Sequence, residues 1–239
     1  MSKHSKFIKT PIQSVLEEAV TVCASCDGGI DEIPRSEYIM HSLFLKMTGF
    51  GEQKLKCILW ELATDDYEFR YEFLNKNYGE LSTLKDKNAV LNHLIDQIVK
   101  YDGHIDQTSM KTKVYNNADN YCKKVFAESV FKLWKSKEYA EFIELIKINY
   151  IDQFFCNSTL LGSANEDLYK FYSHLYKQRN RYAHNLLSYQ ENLPTIKCIS
   201  DNEYMKYENY FMWIFVLVLI DNLFCSLFAE YELCKNNNY

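Results

Sequence analysis

Ser163-Ala-Asn-Glu-Asp-Leu-Tyr-Lys-Phe-Tyr-Ser-His-Leu-Tyr-Lys-Gln-Arg-Asn-Arg-Tyr-Ala-His-Asn-Leu186 opens with a helix-capping pattern and continues with a helical one. Ser163 and Glu166 have the spacing of a reciprocal capping box. At 100° per residue, Leu168, Phe171, Tyr172, Leu175, Tyr182 and Leu186 line up as one apolar stripe. Arg179 falls in the middle of that stripe. Lys177, Asn180, Arg181 and His184 gather on the opposite side, with Asn180 one turn before His184. Taking a guanidinium out of water without a partner costs several kcal/mol. The pattern therefore predicts a helix that kinks near Arg179 or sends that side chain into a cleft or a subunit interface.

Working outward, further helical patterns recur with short breaks. Thr10 and Pro11 form a cap and first-turn pair ahead of a face made by Ile12, Val15, Leu16, Ala19, Val20 and Cys23. A helix is expected from Pro34 to Thr48, stopped by Gly49, and another from Glu52 to about Ala63, with Asp65 and Asp66 at its end. Others cover Asp86–Lys100, Asn117–Trp134 and Lys137–Phe155, and the last runs from about Asn202 to Cys234. The segment Asn185–Ser200 reads as a loop, with Thr195–Ser200 a short strand at most. Only seven Gly and three Pro occur in 239 residues, too few to punctuate a many-stranded sandwich or barrel. The expected fold class is all-α: a helical bundle over residues 106–239, with additional helices over 1–105. Tyr101–Met110 is the boundary, unless the two parts form one continuous domain.

The net charge of −5 excludes a protein that coats nucleic acid non-specifically, since phosphate binding needs clustered Lys and Arg. Any nucleic-acid site must be local. Lys170, Lys177, Arg179 and Arg181, interleaved with Phe171, Tyr172, Tyr176 and Tyr182, make one such patch against Glu166 and Asp167. Phosphates favour the cations, and unstacked bases of single-stranded RNA favour the rings. The eight Cys follow no disulfide framework and no secretory leader precedes them, so reduced thiols in a cytoplasm are expected. Asn209 to Ile220 is uncharged and strongly apolar, but these twelve residues end at Asp221. A membrane span needs about twenty apolar residues, so a buried core helix is the expectation and no membrane is implied.

Arg179, Asn180 and His184, between two long helical patterns near the end of a helical bundle, resemble the signature of the HEPN family. That signature is an Arg, usually a polar residue, three further residues, then His. The resemblance covers about the last half of the chain. It implies a dimer-forming helical protein that binds RNA, and catalytic members of that family cleave RNA without metal, using the substrate's own 2′-hydroxyl. On that reading Arg179 holds the scissile phosphate, His184 moves the proton and Asn180 orients the imidazole or touches phosphate, these three being the catalytic set. Lys177, Arg181, Tyr182 and His174 would help bind RNA. RNA substrate and a second copy of the chain are the implied partners, with an antitoxin or regulatory protein a further one, and a role as a toxin or in phage defence fits by resemblance only. The toxin group paired with nucleotidyltransferase antitoxins usually carries a Tyr two residues after the His, where this chain has Leu186. The alternative is a non-catalytic nucleotide- or partner-binding dimerisation module, since the family also contains those.

Other constellations carry less. Cys23 and Cys26 have redox or zinc spacing, but no second pair completes a tetrahedral set. Glu52-Gln-Lys54 has the acid and base spacing of metal-dependent nucleases, although those need a strand and a preceding Asp. His41 and His93 sit in helical patterns and read as structural. No glycine loop has phosphate-cradling spacing and no HExxH occurs. No cluster of Asp, Glu or His near the motif has the spacing of a divalent-metal site, so the reading calls for no metal and no cofactor.

Overall fold

The structure, a computed structural model, describes residues 2–24, 32–75, 78–147, 167–184 and 207–237. Helices cover 87% of these residues and no strand occurs among them, so the protein is all-α. In chain order the helices are α1 (Lys3–Lys9), α2 (Gln13–Cys23), α3 (Glu32–Asp65), α4 (Tyr67–Asn75), α5 (Leu84–Lys100), α6 (Gln107–Glu128), α7 (Phe131–Trp134), α8 (Ser136–Lys147), α9 (Asp167–His184) and α10 (Tyr210–Asn237).

Several boundaries differ from the sequence expectation, each for a local reason. The segment before Thr10, where no helix is expected, forms α1, started by Ser2, whose Oγ accepts from the Ser5 amide. The helices expected over Pro34–Thr48 and Glu52–Ala63 are one, α3, which passes straight through Gly49 and Gly51. A helical glycine costs only about 1 kcal/mol, and buried Phe44, Met47, Leu55 and Ile58 on either side anchor the helix across them. Asp66 does more than end that helix. Its Oδ1 accepts from the Glu68 and Phe69 amides and so starts α4, also absent from the sequence reading. The helix expected from Asn117 starts at Gln107 instead, because Asp106 accepts from the amides of Thr108 and Ser109. It breaks at Ser129, which is extended. The last helix begins at Tyr210 rather than Asn202, with Asn209 Oδ1 accepting from the Met212 amide at 3.0 Å. Ser163, Glu166, the loop from 185 to 200 and residues 148–155 lie outside the described residues.

Helix α10 is the axis around which α1, α3, α5, α6, α8 and α9 pack. Every residue from Tyr210 to Asp221 is buried. It is long and apolar enough to cross a membrane, but 83% of its most apolar window is covered by the protein's own helices. An all-round apolar helix needs cover on every side, and here the chain supplies it. One core cluster runs from Ile8 to Tyr231, with residues contributed from both sides of the 101–110 segment.

The polar groups inside this core are matched in detail. Lys54 on α3 is 1% exposed and gives its three N–H donors to Asp221 Oδ1 at 2.5 Å, the Thr10 carbonyl at 2.8 Å and Cys225 Sγ at 3.2 Å. Asp221 Oδ2 accepts from the Ile12 amide at 2.9 Å, which fixes the start of α2. Burial pushes the Asp221 carboxyl above its usual range, while the Lys54 ammonium, the Ile12 amide and the Cys225 thiol draw it down.

Two stability outcomes follow from this packing. Lys54→Met should lower the denaturant-derived stability at pH 7 by about 3–5 kcal/mol, because it strands a buried carboxylate. The stranded Asp221 would then hold a proton more tightly folded than unfolded, so the loss should shrink as pH falls from 7 to 5. Lys54→Met with Asp221→Leu should recover most of it, and a pH-independent loss would contradict this account. Gly49→Ala, at an exposed helical position where an added Cβ meets nothing within 4 Å, should raise stability by about 0.5–1 kcal/mol.

Candidate functional site

Helix α9 carries the residues singled out in the sequence and lies against α3, α5 and α10. Its apolar stripe is where the periodicity puts it: Leu168, Phe171 and Leu175 are fully buried and Tyr172 nearly so. Leu186 lies outside the described residues. The helix is continuous from Asp167 to His184. The stripe accommodates the cation by ion pairing: Arg179 Nη2 lies 3.2 Å from Glu52 Oε2 of α3. Nη1 donates to Asn180 Oδ1 at 3.1 Å, and the guanidinium carbon sits 5.9 Å from the Tyr176 ring centre. The Arg179 side chain is 21% exposed and that of Glu52 10%, so the pair sits at the edge of the core.

Asn180, the Arg179 neighbour, is half-buried. His184 is the last residue of α9, and its side chain lies outside the described residues. Helical geometry puts its Cα about 7.5 Å beyond that of Arg179 along the axis and about 140° around it. Asn180 and His184 share a face, one turn apart.

The residues expected to bind RNA divide. Lys177 is exposed and Arg181 half-buried. Tyr182 packs inward: its ring stacks on His41 of α3 at 3.7 Å between centroids, and its hydroxyl hydrogen-bonds that of Tyr210 on α10. Burial pushes that phenol up to about 12, which keeps it a neutral hydrogen-bonding group. Burial likewise lowers the His41 imidazole below its usual range, with Glu37 opposing and Lys135 reinforcing. His174 Nδ1 is 3.6 Å from Glu208 Oε1. The buried Gln178 donates to both oxygens of that same carboxylate, at 2.9 and 2.7 Å. Phe171 and Tyr172 are core residues rather than open stacking faces.

Glu52 and Glu208 thus reach α9 from distant parts of the chain and offset the patch of Lys and Arg counted along it. Neither is visible by looking within the segment. A second set assembles behind Arg179. Glu52, Lys54, Lys87, Tyr172, Tyr176 and Asp221 line a cavity of about 20 Å³ between α3, α5, α9 and α10. Lys87 had drawn no notice in the sequence, yet the signal is there. It sits on the same buried stripe of α5 as Val90, Leu91 and Leu94, just as Arg179 sits on that of α9. Among the described residues no group of three or more His, Cys, Asp or Glu is placed to hold a metal ion.

Set against protein-family models, curated proteins and solved structures, the chain matches none.

Proposed function

We propose that the protein is a metal-independent endoribonuclease acting on single-stranded RNA in the cytoplasm, with Arg179, Asn180 and His184 as its catalytic set. The observation that supports this most is how Arg179 is held: it sits at the edge of the core, its guanidinium steadied by Glu52 and Asn180. Those two bonds use two of its five N–H donors, which leaves three for a phosphate. The unperturbed imidazole titrates near neutral pH, so a histidine in the position of His184 suits proton transfer there. It takes the proton from the 2′-hydroxyl as that oxygen attacks the adjacent phosphorus, and returns one to the departing 5′-oxygen. Arg179 stabilises the charge that grows on the phosphoryl oxygens. The products are a 2′,3′-cyclic phosphate and a 5′-hydroxyl end. Lys177 and Arg181 extend the hold along the strand, His174 and Tyr182 contribute from the flanks, and the enzyme works as a homodimer with an antitoxin or regulatory protein as further partner.

A second reading is a non-catalytic binding or dimerisation module. The Glu52 contact favours it, since the same ion pair would serve as a purely structural tie, and so does the inward packing of Tyr182. Incubation with a mixed RNA pool separates the two, because only the first shortens RNA.

Cleavage should persist in EDTA, leave cyclic phosphate ends, and stop at a nucleotide made 2′-deoxy; 5′-phosphate ends, or activity restored by magnesium, would overturn the mechanism. His184→Ala should abolish cutting with the melting temperature unchanged. Arg179→Ala should abolish it too, but also cost about 1–3 kcal/mol because Glu52 loses its partner. Arg179→Ala with Glu52→Gln should regain that stability and stay inactive. Recovery of cutting in the double variant would make Arg179 structural. Arg179→Lys should fail as well, since a point charge does not reproduce a planar fork.

A further inference from the structure

Lys54 and Lys87 line the cavity behind α9, Arg179 pairs with its Glu52 wall, and their hydrogen bonds tell the three cations apart. Lys54 has a protein partner for each of its three donors. Arg179 pairs with Glu52. Lys87 is 4% exposed, yet its Nζ donates to a single protein acceptor, the Leu81 carbonyl at 3.0 Å. Among the described residues no carboxylate lies within salt-bridge distance of it. With Lys54 matched to Asp221 and Arg179 to Glu52, the buried set carries one surplus positive charge, and Lys87 holds it.

Little about Lys87 favours stability beyond the Leu81 bond and the Tyr172 ring, whose centre lies 5.5 Å from its Nζ. It stands in the first turns of α5, after the Thr83 cap, where the helix dipole disfavours a cation. Its one acceptor belongs to Leu81, a buried residue held at φ 58 in the left-handed region that a leucine rarely adopts. Burial pulls the ammonium from the usual lysine range down to about 8, with Glu52 and Asp86 opposing and Arg179 adding to the fall. Asp86 is engaged in the capping box with Thr83. A desolvated cation with two donors left over, kept in a strained surrounding, is the arrangement expected where a ligand completes the set.

We propose that this cavity is a binding site for a small monocarboxylate, whose carboxylate is taken by Lys87 Nζ and the Tyr176 hydroxyl. Tyr176 accepts from Ser82 Oγ at 2.9 Å, so its own proton is available to donate. Two donors from Lys87 and one from Tyr176 match the two oxygens of a carboxylate, and one surplus positive charge matches its single negative one. Phosphate would bring more charge and more oxygens than this set can answer. A volume of about 20 Å³ holds one or two waters or an anion as small as formate, which excludes longer carboxylates, sugars and bases. Of the remaining wall, Ile12, Leu55, Leu217, Ile220 and Phe224 are apolar and Thr48 is polar. The site stands on its own donors and does not depend on the ribonuclease reading.

The test uses the full chain at constant ionic strength in chloride, with formate, acetate, propionate and inorganic phosphate as separate probes, read by calorimetry and thermal shift. Formate should bind one per chain and saturate, more tightly than acetate, propionate or phosphate. Tyr176→Phe should weaken formate about 3- to 10-fold, the effect of one hydrogen bond, and Lys87→Met should abolish the saturable signal. Affinity should fall about tenfold per pH unit above about 8 as Lys87 loses its proton. The other groups around it, Glu52 and Lys54 on α3, Asp86 on α5, Tyr172 and Arg179 on α9 and Asp221 on α10, are unchanged in both variants. Should Lys87→Met not fold, Tyr176→Phe decides alone, and formate affinity equal to the parent's there overturns the site. So does the absence of saturable formate binding, or phosphate binding more tightly than formate.

Discussion

The ion pair between Lys54 and Asp221 sets where everything else can go. A carboxylate in the middle of an otherwise apolar helix tolerates burial only with close partners, and these come from three places at once: Lys54 of α3, the Ile12 amide at the start of α2, and Cys225 one turn further along α10. The same ammonium reaches back to the Thr10 carbonyl at the end of α1. Four helices are therefore registered against one another by one charge cluster. Hydrophobic burial is non-directional and would allow α10 to rotate or slide; the cluster allows one rotation and one depth. It does so because any other leaves a buried charge without its mate.

That registration has a consequence for α9. With α3 fixed by Lys54, Glu52 two residues earlier is presented to the neighbouring helix, where it meets Arg179. The pair that secures the core and the pair that holds the motif arginine are thus consecutive features of one helix. The Glu52-Gln-Lys54 segment, whose spacing resembles a metal-nuclease tail, has a different use. Its acid and its base each pair with a different helix, α9 and α10, and both line one cavity.

Much of this was legible in the sequence, for physical reasons that differ by feature. The stripe of Leu168, Phe171, Tyr172 and Leu175 was readable because helical periodicity is local, and all four are buried. That Arg179 must find a partner was also readable, since a cation on an apolar stripe breaks a local rule. Which partner was not, because Glu52 lies 127 positions away and long-range pairing leaves no trace in one sequence. The continuity of α3 was missed because Gly49 and Gly51 resemble a stop, yet tertiary packing outweighs a penalty of about 1 kcal/mol each. Helices α1 and α4 are short and depend on Ser2 and Asp66 as caps, signals too common to stand out unaided. The apolar α10 is covered by this chain's own helices, so the case for a dimer rests on the family resemblance alone.

A charge on a buried stripe can be there for the fold or for something the fold must bind, and its donors distinguish the two. Lys54 is saturated, and replacing it together with Asp221 by apolar residues should leave a sound core. Arg179 is half committed: two of its five donors are taken by Asn180 and Glu52, as in a residue with both roles. Lys87 is the least committed, with one backbone acceptor and no acid of its own. The commitment does not follow depth, since Lys87 is buried on α5 and Arg179 stands at the edge of the core. Burial makes the Lys87 ammonium easier to lose than that of an ordinary lysine, and a bound anion would offset that cost.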